Sequence, residues 1–551
     1  MSAGTGRRSA AARSGATLYL GGSVYNQGEP FATAMLVAGG TIAWIGPDGA
    51  AAAHRQEAAE VVQLAGALVA PAFVDAHVHT TASGMVGVGL DLTATRSLAE
   101  MLAAVRTRAV RARSGDDVIV GFGWDERTWA EPRPPLRIEL DSAADGAVVF
   151  LDRADVHGSV VSSALLAAYP HIREHEGFDD SGWLTGPAHH AARSAVYDAL
   201  PADLRMEVQR TVRAEAAARG VGSFHEMGGP TLAGARDLLA LLDLAAAEPG
   251  PSVVGYWADG VHRSALPDAR IRGRAGDLFA DGTMGSHTAA LRESYADAVG
   301  TGRLDVTAGS VRDHVVACTG DGLQAGYHVI GDSAIDVVLA GFVEAAEVIG
   351  DAAVRAGRHR LEHVELVHPE HIEVMARLGI TASVQPRFDE FWGGAAGMYA
   401  ARLGQRWEQM NPFAALQASG VGLALGSDSP VTPLGPWEAV QAAAWHHEPS
   451  HRLSVRAAFA AHTRGGWRAA GREGGVLAVG EPATFAVWQA GDLQVQAPDS
   501  RVSAWSTDPR SGTPGLPDLA PGAPAPVCLR TVVDGTVVHD RPELLERTVS
   551  R

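Results

Sequence analysis

The 551-residue chain contains no lysine. All 45 of its basic residues are arginine, set against 63 acidic ones for a net charge of −18. Nucleic-acid binding needs a clustered positive footprint, and this acidic chain shows none, which argues against a phosphate-backbone partner. Cysteine is nearly absent as well. Cys318 and Cys528 are too few for a disulfide framework and lack metal-type spacing, so any metal must be held by histidine and carboxylate. No apolar run approaches the roughly 18 residues of a membrane span. Residues 1–15 are small, polar and basic, and no apolar signal-type segment follows them; they read as a disordered tail on a cytoplasmic protein.

What is present is ordinary globular composition, 46% hydrophobic and 20% charged. The chain length allows two to four domains. Short β-rich runs separated by glycine turns fill the stretch from Ala16 to Ala72, and the pattern returns near the carboxyl end, where VDGTV signals a hairpin turn. The two ends are expected to build one small β-domain from residues 16–72 and 476–545. Between them, residues 73–475 alternate Ala-rich helical stretches with apolar runs such as GYHVIGD, HRLEHVELV and GVGLALGSDS. Strand–helix alternation over that length predicts a parallel (β/α)8 barrel rather than an open sheet. The segment from Gln494 to Val527, rich in Pro, Ser and Gly, reads as an exposed loop.

Polar residues cluster at the predicted strand ends. In PAFVDAHVHT an apolar strand ends in His77 and His79, whose spacing of two puts both imidazoles on one side. An HxH pair alone is weak evidence in a chain with 22 histidines. His328, His363 and Asp428, however, also stand at ends of apolar runs. In a barrel such positions converge on one mouth, where active sites lie.

With these residues in place, the sequence resembles the metal-dependent amidohydrolase superfamily, in particular its branch of N-substituted formamide deformylases and related amidases. The resemblance runs from about Ala16 to Val538. It is carried by FVDAHVHT, VGFGWDERTW, DRADVHGSVVSSALL, GVGSFHEMGG, LFADGTMGSHTAAL, HVIGDSAIDVVL, RLEHVELV, SVQPRF and LGSDSPVTPLGPWEAV. It implies a (β/α)8 TIM barrel with a small β-sandwich built from both termini, and an inserted α/β segment, roughly residues 85–225, after the first barrel strand. It also implies that His77, His79, His328, His363 and Asp428 surround one or two divalent metals.

Related enzymes usually carry, where this chain has Asp277, a lysine whose carbamate bridges two ions. An aspartate falls short of that carbamate by roughly 5 Å of ordinary bond lengths. One ion, expected to be zinc, is therefore favoured over two, with Asp277 a weak ligand or a neighbour of the ligands. Asp428 is the expected acceptor of the water proton. His363 or His328, whichever is not a ligand, would face the developing oxyanion. The shared motifs place Trp124, Asp125 and His157 in the substrate pocket, Trp124 with at least an equal claim to core packing. Asp281 and His225 are further substrate-site candidates, Asp281 with an equal claim as a turn residue and His225, with Glu226, as scaffold. His189 and His190 read as a solvated helix face. Three functions remain: hydrolysis of a C–N bond in an amide, N-formyl or cyclic amide; ring deamination with Asp332 as a poor proton donor; or a binding protein that lost its chemistry with the lysine. A small-molecule substrate is expected, with no nucleic acid and no membrane as partner, and the chain is compatible with a homodimer.

Overall fold

Six consecutive buried residues, Phe73–Val78, form β1, the first of eight neighbouring strands in one sheet. The computed structural model describes residues 15–112, 118–154, 156–260, 268–496, 505–506 and 514–549. Residues 1–14 of the expected tail, and 497–504 and 507–513 of the expected loop, lie outside them. The remaining strands are β2 (Val221–Gly228), β3 (Ser252–Trp257), β4 (Ile271–Arg274), β5 (Gln324–Val329), β6 (Arg360–His363), β7 (Thr381–Val384) and β8 (Leu423–Leu425). They lie in chain order, parallel from β2 through β8. Helices such as Gly234–Ala247, Ala308–Gly320 and Asp332–Ile349 connect them, and continuous burial along the strands is what a sheet covered on both faces requires.

The sheet closes on itself just past β8. Val78 bridges Ser429 in parallel, the Asp428 N–H donates to the His77 carbonyl at 2.8 Å, and the His79 N–H donates to the Ser429 carbonyl at 2.9 Å. The Asp75 carboxylate, accepting from the N–H groups of His77 and Ser427, ties the same two segments. Gly426 is required here, because an added Cβ would stand 2.7 Å from the His77 nitrogen. This is the expected (β/α)8 TIM barrel.

Between β1 and β2 the inserted segment builds its own five-stranded mixed sheet from Leu90–Asp91, Ile119–Trp124, Val149–Arg153, Gly158–Val161 and Trp183–Thr185. The chain divides into two compact units, one of residues 74–216 with 223–473 and one of 1–73 with 217–222 and 474–551. In the second unit, two five-stranded sheets drawn from both chain ends form a sandwich whose core includes Tyr19, Met35, Val62, Val69, Phe485 and Val532. Its VDGTV hairpin turns at Asp534 and Gly535, both with positive φ, as a two-residue type I′ turn requires. Leu493–Gln496 pairs with Trp505–Ser506 and with Leu516–Pro517. The expected loop thus contains short strands that a Pro- and Ser-rich composition conceals.

Candidate metal centre

The barrel's carboxyl-terminal mouth gathers His77 from β1 and His79 just past it, Asp277 after β4, His328 from β5, His363 from β6 and Asp428 after β8. Asp428 Oδ1 lies 3.3 Å from His77 Nε2 and 3.2 Å from His79 Nε2. The Asp277 carboxylate lies 3.4 Å from His77 Nε2, 3.0 Å from His79 Nε2, 3.6 Å from His328 Nδ1 and 3.8 Å from His363 Nε2. Atoms bound 2.0–2.2 Å from one tetrahedral ion stand about 3.3–3.6 Å apart. Of the two places expected for Asp277, a weak ligand or a neighbour of the ligands, these distances fit the first. Beyond Arg274 the backbone turns through Gly276, at φ 87°, and re-pairs with β5 at Phe279 and His328, which delivers the short side chain to the ligands.

Two of the side chains owe their aim to left-handed backbone. Along β6, Glu362 and His363 should point to opposite faces, but His363 has φ 71° and Asp428 has φ 55°. Such conformations are costly for residues other than glycine and gather at functional sites.

Three histidines turn a nitrogen lone pair inward because the other ring nitrogen is engaged. His77 Nδ1 donates to Glu362 Oε2 at 2.9 Å, His363 Nδ1 to Gln385 Oε1 at 2.8 Å, and His328 Nε2 to the Gly282 carbonyl at 3.2 Å. This fixes the tautomers a metal ligand needs. Buried Arg360 in turn grips both oxygens of Glu362 and donates to the Ala76 carbonyl, Ser383 Oγ and His225 Nδ1. Burial would raise Glu362, but Arg360 and His77 hold it down at about 2. Glu362→Gln is expected to weaken metal affinity about 10- to 100-fold, measured against a chromophoric chelator. Unchanged affinity would show that Glu362 does not set the His77 tautomer.

His77 Nε2, His328 Nδ1, Asp277 Oδ1 and Asp428 Oδ1 are buried with no hydrogen-bond partner. Buried polar atoms are rarely left so. Burial alone would lower His77, yet Asp428 and Asp277 raise it well above its usual value. Burial would raise Asp277, yet His77, His328 and His363 pull it well below. A cluster that draws protons onto its histidines and off its carboxylates favours a cation. A divalent metal fits this donor set, which contains three overlapping groups of three ligand atoms within 4.8 Å.

A cavity opens on His328, His363 and Asp428, walled by His157, Arg127, Arg153, Met284, Phe388 and Trp392 among others. His157 stands 5.4 Å from the His328 ring. Asp125 holds both pocket arginines, Arg127 and Arg153. Other expectations need correction. Trp124 is fully buried against Trp129 and Trp183 and donates to the Leu151 carbonyl, so it packs the insertion's core. Asp281 makes neither a turn nor a pocket wall, because its carboxylate accepts from the N–H groups of Ala290, Ile330 and Gly331. His225 lies beneath the centre, against Arg360. His189 and His190 are buried rather than solvated; His189 bonds Ser159 and the Val156 carbonyl, and His190 stacks on Phe279. Asp332 accepts from the N–H groups of Arg292 and Ser333, pairs with His368, and is not among the cavity's lining residues. Glu362, Arg360, Gln385 and Glu365 were missed. Glu365, in the cavity wall, receives the Tyr399 hydroxyl at 2.6 Å, and its burial pushes it up to about 7.

A TIM barrel with a His/Asp centre at its mouth defines a metal-dependent hydrolase. The model of the amidohydrolase family matches residues 60–539, and the chain belongs to that family. Bacillus subtilis (strain 168) YtcJ is 28% identical over 70% of this chain and 74% of its own length. An N-substituted formamide deformylase from Arthrobacter pascens is 25% identical over 83% and 90%. Among solved structures, a metal-dependent hydrolase from Pyrococcus furiosus superposes with a TM-score of 0.67 at 24% identity, covering 86% of this chain and 98% of its own. Among the described residues, no helix is long and apolar enough to cross a membrane.

Proposed function

We propose that the protein hydrolyses the C–N bond of a small amide, N-formyl or cyclic amide, using one zinc ion held by His77, His79, Asp277 and Asp428. The observation that carries this reading is the set of inward-facing histidine nitrogens converging on two carboxylates beside an apolar cavity. A single ion is supported by Asp277 Oδ1, which faces His77, His328 and His363 alike and so draws the ligand groups onto one centre. When bound, such an ion polarises a carbonyl and makes a water more acidic.

The chain's own residues supply the proton path. Asp428 turns Oδ1 to the β1 histidines and borders the cavity, so Oδ2 is assigned to the water proton. As the water oxygen bonds to the carbonyl carbon, Asp428 takes that proton. As the C–N bond breaks, Asp428 returns it to the nitrogen, leaving a carboxylic acid and an amine. His363 and His328, both on the cavity wall, stabilise the developing oxyanion as imidazolium, because their neutral tautomers turn a lone pair inward. Met284, Phe388, Trp392 and Met398 exclude water and favour an apolar substituent.

The test is zinc-loaded protein against a panel of N-formyl amines, acyclic amides and cyclic amides, with release of amine or ring-opened acid as the readout. Turnover of at least one class is expected. No release from any, with ammonia released from ring amines instead, would overturn the reading.

A further inference from the structure

A second cavity reaches the metal centre from another side. His79 and Pro430 line it, whereas His328, His363 and Asp428 line the first. Its wall is partly apolar, from Ala82, Phe122, Val156, Met227 and Leu232. Of its carboxylates, Asp237 is engaged by Thr81, Gln209 and Arg205, Glu226 by the Thr80 N–H and hydroxyl, and Asp152 lies 3.8 Å from His189 Nδ1. Two of its donors stay open. Arg193 and Tyr197 lie one turn apart on the helix Gly186–Asp198, only 8% and 2% exposed. The Tyr197 hydroxyl and Arg193 Nε have no partner, and the other Arg193 nitrogens make long contacts of 3.3 and 3.5 Å to the Val156 and Thr231 carbonyls. Buried donors left open on a cavity call for an acceptor from a ligand.

An amide has two halves, and the centre has a chamber for each. Asp428, which protonates the leaving nitrogen, lines the first cavity, so the amine half belongs there. We infer that the second chamber takes the acyl half, an arm longer than formyl that carries an uncharged acceptor oxygen for Tyr197 and Arg193. The oxygen is uncharged because Asp152, Glu226 and Asp237 share the wall and oppose a carboxylate. This inference rests on the proposed amide hydrolysis.

The test uses the zinc-loaded full chain and four amides of phenethylamine, bearing formyl, butanoyl, methoxyacetyl and 3-carboxypropanoyl groups. Butanoyl and methoxyacetyl differ only in one CH2 exchanged for oxygen. Methoxyacetyl is expected to be cleaved with a kcat/KM about tenfold above butanoyl, the scale of one buried hydrogen bond gained, and the acidic arm least well of the three longer ones. Tyr197→Phe should bring the methoxyacetyl-to-butanoyl ratio close to one. Ala233→Phe, which fills the chamber from its wall, should depress both longer arms relative to formyl, with metal content reporting that the fold is kept. Cleavage of formyl with neither longer arm accepted, or equal rates for butanoyl and methoxyacetyl, overturns the chamber assignment and leaves amide hydrolysis standing. No cleavage of any arm overturns this inference, and the proposed function falls with it when the cyclic amides of the panel are left intact too.

Discussion

Asp428→Asn is expected to lower kcat by about a thousandfold with the fold intact, the scale on which a general acid–base group contributes. Asp428 sits just past β8 with φ 55°, and asparagine is among the few residues that accept left-handed backbone readily. The substitution therefore keeps the turn that closes the barrel. Its amide oxygen can still face His77 and His79, but it cannot take a proton from water and return it to nitrogen. Steady-state kinetics beside metal content and circular dichroism separate the two effects. A metal-replete variant turning over within a few-fold of the wild type would remove Asp428 from proton transfer.

Chelation is expected to abolish turnover and to make stability depend on pH in a way that the loaded protein's does not. Burial alone would lower His79, but hydrogen bonds and charge from Asp277 and Asp428 raise it from 6.5 to about 9. A histidine whose folded pKa lies above its unfolded one stabilises the fold fully below the unfolded value and loses that contribution as pH rises through the folded value. The Tm of the metal-free protein should therefore fall from pH 6.5 to 9. In the loaded protein the ion replaces the protons, so that fall disappears. An ion present at a thousand times its Kd adds about 4 kcal/mol by linkage. Calorimetry of both forms at pH 6, 7.5 and 9 checks this; a flat Tm for the metal-free form would contradict it.

The parts of the centre legible in the sequence are those set by strand periodicity. His77 and His79 share a face because a strand repeats every two residues, and His328, His363 and Asp428 end apolar runs that a barrel must bring to one mouth. What escaped was set by backbone departures and by what covers each residue. Parity along β6 would place His363 away from Glu362, and only its positive φ brings it to the centre. The Arg360–Glu362 pair could have been noticed as alternating charges inside an apolar strand, since fully buried charges need a partner. Side-chain length left Asp277 open as ligand or neighbour, and only the bend through Gly276, invisible in the sequence, brings its backbone close. Trp124 and Asp281 lie in motifs that mark the pocket region, yet a motif does not say which of its residues face the cavity. The β-domain from both ends was legible in its β-rich runs, but its sandwich form and the insertion followed from the resemblance, because periodicity alone does not tell which sheet a short strand joins.

The central claim is one catalytic ion in a lysine-free centre, and titrating metal-free protein with zinc while following amide hydrolysis tests it most directly. Turnover should rise linearly and level off at one zinc per chain, with no requirement for bicarbonate, since no lysine exists to be carbamylated. A plateau only at two zinc ions per chain, or full turnover before any is added, would contradict the account.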